Sequence, residues 1–337
     1  DIPVLYFPKF FHPDPTVKRQ SGFLMPKLIS SNNLGTSFTI PYYNVISDNK
    51  DLTFTPRFYN NKKYLLQSEY RVVTKKTEHT VDASFVNSHV SNTPGDKNSR
   101  SHFFSSSSIN LGLSGYDSSL INLDLKKTNH TDYLKSYKLN SPLITSESSL
   151  NSTLSFKASK ETLSIETSLE AYEDLSKVKP SDKYEFVYPN VKVLKTFDSY
   201  ETLNGNLSLD VSGYKRQFNT NTEETVLINN LLFESNPFIK GNGFNNGYSI
   251  LLKNVNSDAK KSTSYRNSKS HKMLTTFLLE SSYPLKKEKN NFNSFLTPKI
   301  SMRYSPNPTK NISNTDRRID INNIFSLDRI GFNNAVE

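Results

Sequence analysis

The stretch Lys18-Arg19-Gln20-Ser21-Gly22-Phe23-Leu24-Met25-Pro26, running on to Ile40-Pro41-Tyr42-Tyr43, places prolines inside segments that otherwise read as β-strands. Proline has no N–H to give to a sheet ladder. Pro26 and Pro41 therefore suit an edge, a bulge or a seam that is meant to part. The plainer reading is that they end short strands. Upstream, Pro3, Pro8, Pro13 and Pro15 make residues 1–21 an irregular or edge-strand lead-in rather than a helix.

Downstream of this lead-in the polarity alternates with period two, the pattern of strands with one apolar face. Leu52, Phe54, Pro56 and Phe58 face one way; Thr53, Thr55 and Arg57 face the other. Tyr64, Leu66, Tyr70 and Val72 oppose Gln67, Glu69 and Arg71, with Asn60 to Lys63 as the hairpin turn. The rhythm recurs through Val81-Asp82-Ala83-Ser84-Phe85, Ile121 to Lys126, Leu163 to Leu169 and Leu207 to Val211. It predicts roughly 13 strands of ~9–11 residues from Gly22 onward. Asn87 to Arg100, Thr128 to Ser148, Phe218 to Asn246 and Asp258 to Ser270 read as long polar loops, Ser159 to Glu161 as a tight turn, and Ser105 to Ser108 as loop or weak strand. Ser168 to Lys179 reads as strand end plus loop rather than helix.

Composition narrows the class. Only 34% of the 337 residues are hydrophobic and mean hydropathy is -0.60, yet there are 18 Tyr and 22 Phe. A soluble domain of this length fills its core with more aliphatic residues, and a disordered chain carries fewer aromatics. A large barrel fits, because only its outward face is apolar. No run approaches the ~20 apolar residues of a membrane helix. Tyr42, Tyr43, Phe58, Tyr59, Tyr188 and Tyr304 fall near predicted strand ends, where such rings suit either a membrane interface or an ordinary core. The formal charge of +10 invites a polyanionic partner. With ten arginines and 32 dispersed lysines, the pattern disfavours a nucleic-acid reader and leaves open a solvated lysine-rich surface.

Motifs for covalent chemistry are weak. His12, His79, His89, His102, His130 and His271 are scattered without metal-ligand spacing and are expected in exposed or loop positions. Gly241 to Gly247 does not match a dinucleotide loop and reads as a flexible loop, and Gly112-Leu113-Ser114-Gly115 is not a nucleophile elbow. No catalytic residue, cofactor site or metal site is expected. The absence of cysteine excludes disulfides within the chain. The start at Asp1 and the end at Val336-Glu337 suggest an internal piece of a longer protein.

Lys18 to Pro26, Pro41-Tyr42-Tyr43, Asp51-Leu52-Thr53-Phe54-Thr55-Pro56-Arg57 and Glu69-Tyr70-Arg71 together resemble, in order and spacing, the lipopolysaccharide-assembly family of Gram-negative outer membranes. Leu296-Thr297-Pro298-Lys299 and Leu327-Asp328-Arg329-Ile330 resemble segments nearer the middle of that family's barrel. The resemblance implies an all-β fold: an antiparallel transmembrane β-barrel of roughly 26 strands. This chain would supply about the first half (22–337), preceded by the end of a periplasmic β-jelly-roll (1–21). It implies a translocon that inserts lipopolysaccharide into the outer leaflet through a lateral gate between the first and last strands, with Pro26 and Pro41 matching the family's seam prolines. It also implies periplasmic lipopolysaccharide-bridge proteins, a plug lipoprotein in the lumen and the barrel-assembly machinery as partners. Disulfides common in that family would lie outside this segment.

Lipid A carries phosphates, so lumen-facing Arg57 and Arg71 are candidate head-group contacts, or else simply solvated surface. A rival of another class stays open on sequence alone: a secreted β-sandwich or adhesin-like module that binds anionic glycans through a lysine-rich face.

Overall fold

A computed structural model describes residues 19–306 apart from 33, 61–62, 88–97, 178, 180–182, 198–203, 219–220, 266 and 290–291, and also describes 326–327. Most of the 1–21 lead-in and the Leu327 to Ile330 block thus lie outside the described residues. The chain divides into two units, residues 1–105 with 127–143, and residues 106–126 with 144–337.

The first unit contains β1 (Gly22–Phe23), β2 (Lys27–Ser31), β3 (Gly35–Thr39), β4 (Tyr42–Ser47), β5 (Lys50–Tyr59), β6 (Tyr64–Val73) and β7 (Thr77–Val86). β8 (Arg100–Asn110) and β9 (Ser118–Thr128) contribute residues to both units, and α1 (Tyr133–Tyr137) belongs to the first. The second unit continues with β10 (Ser149–Lys160), β11 (Leu163–Asp174), β12 (Tyr184–Phe197), β13 (Gly205–Phe218), β14 (Thr222–Ser235) and β15 (Phe238–Ile239). It is completed by β16 (Asn245–Lys260), β17 (Ser270–Ser282), β18 (Leu285–Lys289), β19 (Phe292–Leu296) and β20 (Lys299–Tyr304).

Pairing is antiparallel throughout. In the first unit β5, β6 and β7 form successive hairpins, with Phe58 opposite Tyr64 and Leu65 opposite Val86. In the second, β9 to β14 pair in chain order, β14 and β16 pair through twelve registered positions from Glu223 to Glu234, and β17 pairs with both β16 and β20.

The two sheet faces carry reversed polarity for a water-soluble protein. Along β5 the buried positions are Asp51, Arg57 and Tyr59, whereas Phe54 and Phe58 are exposed. The same holds beyond it: Gln67, Asp82, His102, Glu173, Glu224 and Lys253 are buried, while Leu66, Phe85, Phe103, Leu154, Leu194 and Leu252 are exposed. A β-sandwich hides its phenylalanines and leucines between two sheets. Here the exposed row is apolar and the covered row holds many polar residues beside buried Leu65, Val86 and Phe104, which is the layout of a strand wall with lipid on one side and a largely polar interior on the other. The β-sandwich fold of the rival reading has no counterpart in this arrangement.

In the second unit the covered face gains a small apolar cluster, Val226, Ile228, Val255, Ala259 and Leu274, beneath Tyr265 from the turn after β16. The Tyr265 hydroxyl lies 3.1 Å from that of Tyr214.

Three expectations are corrected. Phe218 to Asn246 is not a long loop, because it contains β14, a strand of 14 residues, and β15. Thr222, Glu223, Glu224, Asn229 and Asn230 made it look too polar, but a wall strand needs only one apolar row. Gly241 to Gly247 is likewise loop only in part, since β16 starts at Asn245. Strands of the second unit exceed the expected length: β16 has 16 residues, about 50 Å at ~3.4 Å per residue, more than a hydrocarbon core requires even with tilt. Ser105 to Ser108 are regular strand within β8, and Ser168 to Asp174 continue β11 before a turn.

Candidate functional site

The first strands are cut at matching levels. β1 and β2 are separated by Leu24-Met25-Pro26, and β3 and β4 by Ile40-Pro41. Among the described residues β1 pairs with β4, through Gly22 opposite Tyr43 and Phe23 opposite Tyr42, and β2 pairs with β3 through Lys27 opposite Thr39. β5 runs unbroken past both halves of its neighbour, facing Thr39 with Arg57 and Tyr42 with Phe54.

Extending these registers sets Pro26 against Ile40 and Ile40 against Pro56. Proline thus removes a ladder donor near the same level in three adjacent strand lines, at Pro26, Pro41 and Pro56. What remains at the break is Leu24 N–H donating to the Pro41 carbonyl (2.8 Å) and Ile40 N–H donating to the Pro56 carbonyl (3.3 Å). The hairpin above the break is set by Gly35, whose φ of 81° a residue with a side chain rarely adopts. A Cβ there would lie 2.4 Å from Asn60 Oδ1.

A cavity of about 470 Å³ opens on the polar face beside this break. Pro41, Arg57 and Arg71 all line it, and Met25 and Lys27, which flank Pro26 in the chain, line it too. Three of the four residues singled out from the sequence therefore line one cavity, and the fourth, Pro26, sits in the chain between two residues that line it. Their surroundings differ. Arg71 Nε donates to Asp51 Oδ1 at 2.8 Å and lies 3.5 Å from Glu69 Oε1, while Arg19 reaches the other Asp51 oxygen at 3.2 Å. Asp51 thus ties the lead-in to β5 and β6. Arg57 is 6% exposed and donates from Nη1 to the Tyr137 carbonyl at 2.6 Å.

The segment 127–143 lies on this same polar face and buries Tyr133, Leu134, Tyr137 and Leu139. Its α1 ends at Lys138, whose φ of 46° is left-handed and whose N–H donates to the Leu134 carbonyl. The segment is held by Arg57, by Gln67 Nε2 donating to the Asn140 carbonyl (3.0 Å), and by the Tyr133 hydroxyl 2.5 Å from Ser84 Oγ. The Tyr59 and Tyr137 rings meet edge to face at 6.2 Å. Beneath it, Ser84 Oγ lies 2.6 Å from His102 Nδ1, His102 Nε2 lies 3.3 Å from Asp82, and Gln67 Nε2 donates to both Asp82 oxygens at 3.0 Å.

The expectation that the histidines are exposed fails at His102, which is fully buried as a side chain. The reason is period two: Asp82 and Ser84 occupy the inward row of β7, and the inward row of β8 puts His102 beside them. Serine, histidine and aspartate are the residue types of a hydrolase triad. Here, however, the hydroxyl also contacts Tyr133 under a covering segment, so the group serves as packing for α1. Among the described residues no cluster of His, Asp and Glu is arranged to hold a metal ion.

α1 lies outside the strands, and burial, followed by the neighbouring Tyr59, pushes the Tyr137 phenol up to about 12. A raised folded value stabilises the protonated, folded form. That contribution is complete below the unfolded value near 10 and falls away as pH rises toward 12. Raising the pH through about 10 to 12 is expected to release α1, seen as tyrosinate absorbance appearing before strand circular dichroism is lost. Tyr137→Phe should flatten part of that change, and loss of strand signal first would contradict it.

An antiparallel wall with a polar inner row, an apolar outer row and a proline-cut first strand defines a lipid-embedded β-barrel segment. Comparison with known proteins agrees. A segment of 87 residues, 26% of the chain, is 37% identical to the LPS-assembly protein LptD of Pseudomonas aeruginosa (strain LESB58) and 40% identical to that of Pseudoalteromonas translucida (strain TAC 125). It is also 37% identical to LptD of Pseudomonas fluorescens. The matched part covers 9% to 12% of those relatives' length, so the chain carries an LptD-like segment. No family model matches the chain.

Proposed function

We propose that this chain is part of an outer-membrane barrel that inserts lipopolysaccharide into the outer leaflet, with residues 1–21 ending a periplasmic jelly-roll and 22–337 forming the N-terminal part of the barrel. The observation that carries the reading is the alignment of strand breaks at Pro26 and Pro41 beside an amphipathic, cation-rich cavity, in a chain similar to LPS-assembly proteins. Weak pairing at β1 to β4 provides a lateral gate. The head group stays on the polar face, near Arg57 and Arg71, while acyl chains leave toward lipid. The work is transport without a covalent step. Periplasmic bridge proteins supply the lipid, a plug lipoprotein shares the lumen, and the barrel-assembly machinery inserts the protein.

The test is photo-crosslinking in cells with a benzophenone amino acid at Thr55, on the cavity wall, in the full-length protein. A lipopolysaccharide adduct is expected that disappears when periplasmic supply stops. No adduct at Thr55 or at Tyr43 in exporting cells would overturn the reading.

A further inference from the structure

The connection between β17 and β20 leaves the wall. Tyr283-Pro284 and Thr297-Pro298 stand where the chain departs from the wall and where it returns, and neither proline has an N–H to give to a ladder. Between them β18 and β19 form a separate two-stranded sheet, with Leu285 opposite Leu296 and Lys286 opposite Phe295. Its base is closed by the Tyr283 N–H, which donates to the Pro298 carbonyl at 3.0 Å.

A two-stranded hairpin is marginal by itself in water. This one nevertheless leaves its largest apolar groups uncovered: Phe292 is 61% exposed and Phe295 71%, and Leu285 and Leu296 are exposed as well. Strand alternation puts Phe295 on one face and Phe292 and Leu296 on the other. A second sheet stacked on one face would leave the other wet. A medium into which the hairpin sinks covers both.

The neighbouring wall identifies that medium. Phe277 and Leu279 of β17 stand opposite Tyr304 and Met302 of β20, and all four are exposed, so the apolar outer row runs up to the root of the hairpin. At that root the Tyr283 ring packs against Phe244 with centroids 4.8 Å apart, and in the same β14 to β16 connection Phe238, Ile239 and Lys240 are exposed. Aromatic rings at the end of an apolar strand row suit the boundary between hydrocarbon and water. Charge gives the sign of the surface. From Tyr283 to Lys299 there are four lysines against one glutamate. Lys286 and Lys287 are both exposed; Lys286 pairs with Glu288 and holds its ammonium 5.9 Å from the Phe295 ring centroid, cation and ring at one level.

We propose that the β18–β19 hairpin docks on the bilayer at the edge of the wall, with its phenylalanines and leucines among the uppermost acyl carbons and Lys286 and Lys287 against the phosphodiesters of anionic glycerophospholipids. The inference rests on the reading of the wall as lipid-embedded. It makes the position of this hairpin depend on the lipid composition of the leaflet it meets.

The experiment uses the full-length protein reconstituted in vesicles of phosphatidylcholine, with or without phosphatidylglycerol. A fluorescent amino acid replaces Phe295 or, in a separate protein, Leu279, and nitroxide lipids labelled high or deep on the acyl chain serve as quenchers. Leu279 is expected to be quenched in both kinds of vesicle, and Phe295 by the shallow nitroxide when phosphatidylglycerol is present. Lys286→Gln and Lys287→Gln should each lower the ratio of docked to free hairpin about fivefold. A label at Phe292 repeats the measurement should replacing Phe295 disturb its contact with Lys286. Quenching at Leu279 with none at either hairpin label overturns the proposal and leaves the wall assignment standing; loss of quenching at Leu279 as well overturns both. Equal quenching of the hairpin in neutral vesicles, unmoved by the lysine variants, overturns the anionic headgroup. A hairpin label shielded from both lipid nitroxide and aqueous iodide marks a protein partner and likewise overturns it.

Discussion

Replacing Pro26 and Pro41 together by alanine in the full-length protein is expected to lower lipopolysaccharide delivery to the cell surface severalfold at unchanged barrel abundance. Each substitution restores an N–H in a strand line that stops at that point, β1 to β2 and β3 to β4. A restored ladder bond contributes roughly 0.5–1.5 kcal/mol where it finds an acceptor. Two of them, next to the existing Leu24 to Pro41 and Ile40 to Pro56 bonds, would join the half-strands into continuous ones and hold the seam closed longer. Surface labelling of lipopolysaccharide at matched protein level is the measurement. Adding Pro56→Ala should deepen the loss, because Pro56 continues the same line of missing donors into β5. Normal delivery in the double variant would show that the prolines only end strands.

The second large effect concerns stability and follows from the reversed faces. Asp82 is wholly buried and serves Gln67 and His102 on the polar face. Asp82→Ala leaves both without that acceptor, although Gln67 keeps the Asn140 carbonyl. The expected loss is about 1–3 kcal/mol, accompanied by loosening of the segment that carries α1. Phe58→Ala, on the exposed row of β5, should cost less, because it opens no cavity in a packed interior. Urea unfolding of the full-length protein in detergent gives both values. In a soluble domain the phenylalanine would rank as the more damaging loss, so the order of the two midpoints tests the face assignment directly.

Period two and proline chemistry are local properties, and they made much of this protein legible from residues alone. Alternation in Asp51 to Arg57, Tyr64 to Val72 and Val81 to Phe85 placed the strands and their inward rows, because a one-residue slip would reverse every side chain. Pro26 and Pro41 marked the breaks, since a missing donor is written in the residue type. Where polarity stood in for structure the reading failed, as with β14, whose polar row hid a strand. What the sequence could not show is which inward rows become neighbours. Lys27, Thr39 and Arg57 form a row only because β2, β3 and β5 pair in one register; His102 meets Asp82 and Ser84 because the inward rows of β7 and β8 lie side by side, and Tyr133 joins them because residues 127–143 fold back within the first unit. Those meetings depend on long-range pairing and on loop closure, whose free energy is set by the whole chain and leaves no signature at any single position.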